Sequence, residues 1–133
     1  MVATTYSRDR RPTPAQVADL YRSAGLVRPM YDLARLGYML QQANLVVTAW
    51  DGEALVGLAR TLTDFCYCAY LSDLAVRSEY QRQGIGWRLL VLTKEAVGEE
   101  SMLLLLSVPA ALAYYPTAGM TVVDNGFIIK RTK

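Results

Sequence analysis

Residues 71–90 read LSDLAVRSEYQRQGIGWRLL, and their reading decides the fold. The stretch begins as an apolar strand running to Val76 and passes through a polar turn over 77–83. It then starts a helix at Gly84 and Gly86, with Ile85, Leu89 and Leu92 on one face. A strand feeding a glycine-rich turn and a helix start suits an anion. Glycine lets the backbone approach a ligand closely, and the first helical N–H groups have no partner within the helix. The helix dipole adds about half a positive charge there. A dinucleotide fingerprint needs a third glycine three residues after the second, but Leu89 stands there. A P-loop needs a Lys that this spacing does not supply.

Working outward, 133 residues suit a single domain with a polar arm over residues 1–12. Hydrophobic residues make up 53% and charged residues 20%, as in a globular chain. Fourteen basic and 12 acidic residues give +2, too balanced to indicate nucleic-acid binding. No apolar run approaches the roughly 20 residues of a membrane span, and residues 1–14 lack a signal-peptide core, so a cytoplasmic protein is expected. There is no histidine, which removes Ser-His-Asp and Cys-His nucleophile arrangements and His-containing zinc sites. Cys66 and Cys68 share a face of an expected strand and are expected to pack in the core.

Upstream, Thr13-Pro14 with Gln16 forms a helix start with a capping box, and Gly25 ends that helix. A second helix is expected from Pro29 to about Asn44. Strands over 45–50, 54–63 and 66–76 form a meander, its first turn made by Asp51-Gly52. Downstream of the glycine turn, the helix runs to about Val97. A central apolar strand is expected over 102–107, a helix from Pro109 to Gly119, and two last strands over 120–123 and 127–131 about Asn125-Gly126. The expected order is α-α-β-β-β-α-β-α-β-β, an α/β mixed sheet with helices on its faces and room for one extra N-terminal strand.

Gln81-Arg82-Gln83-Gly84-Ile85-Gly86 resembles the Q/R-x-x-G-x-G/A signature of the GNAT family of N-acetyltransferases. Leu74-Ala75-Val76 is similar to that family's strand beside the pantetheine arm. The segment AYYPTAGM, residues 113–120, resembles its A-F-Y-x-x-x-G-F segment. Arg28-Pro29 and Leu55-Val56-Gly57 are also similar to a subgroup of small acetyltransferases that includes the plastid serotonin-type enzymes.

The resemblance implies a small single-domain acyl-CoA N-acyltransferase fold. It implies acetyl-CoA as donor, no metal, and a primary amine as acceptor. The pyrophosphate would lie on the backbone of residues 82–87, with Trp87, where many relatives have a smaller group, beside it. Arg77 or Lys94 would reach the phosphorylated ribose. Tyr115 matches the family's acid. Asp73 is the only carboxylate on the third meander strand and is a candidate base or amine anchor, with water held by Tyr70 and Ser72 as its rival. Tyr31, Tyr38, Tyr67 and Tyr70, with Asp32 or Asp73, would suit a small arylalkylamine or a polyamine. A protein or peptide amine is the alternative acceptor, and a non-catalytic acyl-CoA sensor is the alternative class. A homodimer through the 127–131 edge strand is a further expectation.

Overall fold

The computed structural model describes residues 3–107 and 111–133. The elements are β1 (Thr5–Ser7), α1 (Pro14–Ala24), α2 (Leu33–Gln42), β2 (Leu45–Asp51), β3 (Ala54–Thr63), β4 (Cys68–Val76), α3 (Ile85–Val97), β5 (Met102–Leu104) and α4 (Tyr114–Thr117). The strands lie side by side in chain order, antiparallel until β5, which runs parallel to β4.

The helix starts follow from local chemistry. Thr13 accepts from the Gln16 N–H while the Gln16 side chain accepts from the Thr13 N–H, so both caps of α1 are filled. Helix α2 starts at Leu33, four residues after the expected Pro29. Residues 28–32 instead form tight turns, with Met30 N–H on the Arg28 carbonyl and Asp32 N–H on that of Pro29. The Asp32 carboxylate then caps the helix through the Arg35 N–H, 3.0 Å away.

The sheet is sandwiched. On one face α1 and α2 cover Val46, Trp50, Leu58 and Ala75. On the other, Ile85 and Leu89 of α3 cover Val47, Ala49, Val56 and Ala59. Helix α3 settles closely because Gly57 lies beneath it. A Cβ there would stand 3.0 Å from Leu89 Cδ1 and 3.2 Å from Ile85 Cγ2.

The polar N-terminal arm carries the extra strand that the sequence leaves room for. β1 pairs with β2, and the Arg10 guanidinium lies 3.6 Å over the Trp50 ring. Strand β4 begins at Cys68, not at the expected residue 66. The Asp64 carboxylate takes the N–H groups of Cys66, Tyr67 and Cys68, so a side-chain-closed turn replaces the first ladder rungs. The expectation of buried cysteines fails for the same reason, since both sit exposed in or beside that turn.

The C-terminal third differs most from expectation. β5 is a three-residue edge strand, not a covered central one, and Met102 is 54% exposed. α4 is a single turn, and the expected helix start at Pro109 lies outside the described residues. Residues 120–133 form no strand, so neither the expected last hairpin nor the edge for a homodimer is present. A hairpin is marginal without a sheet to extend, and β5 offers an edge of only three residues.

Candidate functional site

The register of β3 and β4 explains how the site is shaped. Arg60 pairs with Asp73 and Thr61 with Leu71, which leaves Ser72 as an extra residue on β4. Such a bulge bends a strand and resets its alternation. Before it, Ala69 and Leu71 face α3; after it, Ala75 faces α1 while Leu74 and Val76 face α3. Pairing with β5 ends at Tyr70–Leu104, just before the bulge. Beyond that rung β4 runs on alone and a gap opens along 71–76. The Arg77 N–H donates to Val56 of β3, whereas the Val76 carbonyl turns away and accepts from Gln81 Nε2 at 2.9 Å. Antiparallel alternation then turns the backbone groups of Leu74 toward the gap as well, while those of Ala75 stay on the β3 side.

The gap leads to the glycine turn. Arg82 has φ 63 and Gly84 has φ 86, so two left-handed residues curl the backbone before α3. Such a curl turns successive N–H groups toward one point. The first helical bond runs from Arg88 N–H to the Gly84 carbonyl. The N–H groups of Arg82, Gln83, Gly84, Ile85, Gly86 and Trp87 donate to no acceptor among the described residues. Gln81 and Gln83 hold the turn from behind, on the carbonyls of Val76 and Glu79. A Cβ on Gly86 would stand in ordinary contact, 3.7 Å from Val76 Cγ2 and 3.9 Å from the Tyr114 hydroxyl, whereas one on Gly84 would meet nothing within 4 Å, so the open space at the turn lies over Gly84. Trp87 is half exposed beside the turn. The two expected ribose ligands are employed elsewhere. Arg77 holds Asp19 at 2.8 Å and the Leu55 carbonyl, and Lys94 caps α3 on the carbonyls of Gly98 and Ser101.

Tyr114 and Tyr115 meet edge to face, with centroids 5.2 Å apart. The Tyr114 hydroxyl reaches toward Gly86, at the glycine-turn end of the gap. Tyr115 turns the other way, into an apolar cavity of about 760 Å3 bounded by α3, residues 102–107 and residues 118–123. Burial pushes the phenols of both up, so both stay protonated at neutral pH.

Asp73 is fully buried, on the face covered by α1. Its Oδ1 accepts from Arg28 Nε at 2.6 Å, and its Oδ2 from Arg60 Nε at 2.5 Å and the Tyr21 hydroxyl at 2.7 Å. Ser72 Oγ lies 3.1 Å from Oδ1. Burial pushes this carboxyl up, but the Arg60 hydrogen bond and charge, the Tyr21 phenol and Arg28 outweigh it and hold it below its ordinary value. A carboxylate with both oxygens engaged and a lowered pKa is a weak base with no free lone pair aimed at the gap. The geometry therefore opposes the expected role of Asp73 as base or amine anchor. Sequence reasoning missed Arg28, Arg60 and Tyr21 as its partners. The signal available was a lone carboxylate on an otherwise apolar strand, which demands buried counter-charge.

The sheet, the splayed β4–β5 edge and the unpaired N–H groups at a glycine-started helix come together at one side of the molecule. The profile of the acetyltransferase (GNAT) domain matches residues 18–130, and the chain belongs to that family. A probable acetyltransferase of meticillin-resistant Staphylococcus aureus is 24% identical, with TM-score 0.81 over 98% of this chain and 100% of that one. A GNAT-family acetyltransferase of Streptococcus pneumoniae is 25% identical, with TM-score 0.78 over 98% and 100%. Aminoglycoside N-acetyltransferase AAC(6')-Iy, in complex with CoA, shares the fold at 12% identity, with TM-score 0.73 over 100% and 97%. No curated protein sequence matches the chain significantly. Among the described residues no helix is long and apolar enough to cross a membrane, and no group of three or more His, Cys, Asp or Glu could hold a metal ion.

Proposed function

We propose that this protein is an N-acetyltransferase that moves the acetyl group of acetyl-CoA onto the primary amine of a small acceptor. The observation that carries the reading is the run of unpaired N–H groups from Arg82 to Trp87, which opens on the gap beside β4. These residues fit a pyrophosphate. The curl at Arg82 and Gly84 aims the donors, Gly84 leaves the space, and the α3 dipole adds positive charge. The backbone of Leu74 and Val76, with Ala75 between them, would hold the pantetheine arm as a neighbouring strand would. Trp87 would cover its phosphate end.

Bound acetyl-CoA would supply a thioester whose carbonyl carbon takes the acceptor nitrogen as its carbon–sulfur bond breaks, the amine losing a proton and the sulfur gaining one. The N–H of Leu74 would donate to the carbonyl oxygen, a modest oxyanion site. Tyr115 is the candidate acid by its place in the segment 113–120, and its raised pKa keeps it a proton donor, but it lines the cavity under α3 rather than the gap and would have to turn to reach the thiol. Tyr114, whose hydroxyl lies near Gly86, would serve the phosphate end instead. With Asp73 engaged, and the Ser72 hydroxyl taken by Arg60 and Asp73, proton removal from the amine would fall to water at the bulge beside Tyr70.

The test is thiol release from acetyl-CoA with a panel of primary amines. Acetyl transfer to a small amine is expected. CoA binding without thiol release from any amine or peptide would replace the enzyme with a sensor.

A further inference from the structure

We infer that the acceptor carries a carboxylate beside its amine, and that Arg28 recognises it. This rests on the transferase reading above. The bulge at Ser72 lies between the last β4–β5 rung and Leu74, whose N–H would take the thioester carbonyl. Two guanidiniums and one carboxylate meet there. Arg28 and Arg60 share Asp73, which leaves one net positive charge. A polyamine or a second ammonium group would therefore meet a cation, not the carboxylate that sequence alone suggests.

Arg60 is almost enclosed, its side chain 10% exposed, but Arg28 is 26% exposed. Arg28 spends Nε on Asp73, Nη2 on the Ser72 carbonyl at 2.8 Å and Nη1 on the Val27 carbonyl at 2.6 Å. A guanidinium has five N–H groups, so two remain, one on each Nη of this partly exposed side chain. Their fixed fork matches a carboxylate. Anchored through Ser72, the guanidinium stands at the bulge itself, within a small molecule's length of the gap. Tyr70, partly exposed two residues before the bulge residue, offers an aromatic wall there. The C-terminal end closes in beside Arg35 of α2, whose Nη2 lies 3.4 Å from the Lys133 carbonyl. The acceptor class that fits is an α-amino acid, preferably with an aromatic side chain.

The experiment compares L-phenylalanine, L-phenylalaninamide and phenethylamine in the thiol-release assay. The amide's amine is less basic and phenethylamine's more basic than that of the amino acid, so basicity alone cannot favour the acid over both. The expected kcat/KM for the acid is about tenfold or more above either partner, the size of a charged hydrogen bond. Arg28→Gln should bring that ratio close to one, mainly through KM, while CoA affinity stays within about twofold, because Asp73 keeps Arg60. Arg28→Lys should keep part of the preference, and the wild-type ratio alone decides if Arg28→Gln does not fold. Acetylation of the amide and the amine in preference to the acid, or an unchanged ratio in Arg28→Gln, overturns the carboxylate site and leaves the transferase reading standing. CoA binding with no thiol released from any amine overturns the transferase reading, and the acceptor assignment falls with it.

Discussion

Replacing Asp73 with Asn separates a structural carboxylate from a catalytic base. In the native fold its two oxygens take two guanidiniums and a phenol, and the residue is fully buried. Asn keeps the size but removes the charge and turns one acceptor into a donor facing cations. Arg60, 10% exposed, then loses its only carboxylate, whereas Arg28, 26% exposed, can turn toward water. Removing one partner of a buried ion pair costs about 3–5 kcal/mol. Solvent around Arg28 discounts its share, so about 3 kcal/mol is expected, mostly from Arg60. For a chain of this size that lowers the melting temperature by about 10 °C, measurable by calorimetry at pH 7.

The pH dependence carries a sign. The folded pKa of Asp73 is depressed relative to its ordinary value. Its stabilisation is therefore fully present above the unfolded carboxyl pKa, about 3.9, and is lost as pH falls through the lower folded value. The wild-type and Asp73→Asn stabilities should thus converge on acidification below about pH 4. A variant as stable as wild type at pH 7, with turnover abolished and normal CoA binding, would refute this reasoning and restore Asp73 as the base.

Three further outcomes follow from the same geometry. Gly84→Ala should cost about 1–2 kcal/mol, since φ 86 is left-handed backbone, and weaken CoA binding at least about tenfold by placing a Cβ in the open space over the turn; urea unfolding and calorimetric titration read the two effects separately. Tyr115→Phe should lower kcat by about 100-fold with CoA affinity unchanged, and wild-type activity should persist to pH 10, because burial holds the phenol protonated beyond its ordinary range; the same loss in Tyr114→Phe instead would exchange their roles. Gly57→Val should destabilise by about 1–3 kcal/mol by lifting α3 from the sheet, and should weaken CoA binding because the cradle rides on that helix; unchanged denaturation and affinity would show that the helix is placed otherwise.

Local signals in the sequence proved readable. Thr13 and Gln16 announced a capping box, and Gly84-Ile85-Gly86 marked a helix start with open N–H groups. What stayed hidden depended on distant partners. The bulge at Ser72 leaves no trace in the residue pattern, because it is set by pairing with Arg60 and Thr61, yet it decides where Asp73 points. The partners of Asp73 lie 52, 45 and 13 residues away. The run from Cys66 onward looked like strand because apolar alternation does not report that Asp64 would capture three N–H groups. β5 stops at Leu104 because the bulge turns β4 away from it, and the short edge left over does not template residues 120–133.

The central claim is that the backbone of residues 82–87 cradles the CoA pyrophosphate. Amide NMR during a CoA titration tests it most directly. The account predicts that the largest shifts fall on the N–H resonances of Arg82 to Trp87, with smaller ones along Leu74 to Val76. Saturable CoA binding that leaves those amides unmoved, or that shifts the cavity between α3 and β5 instead, would contradict it.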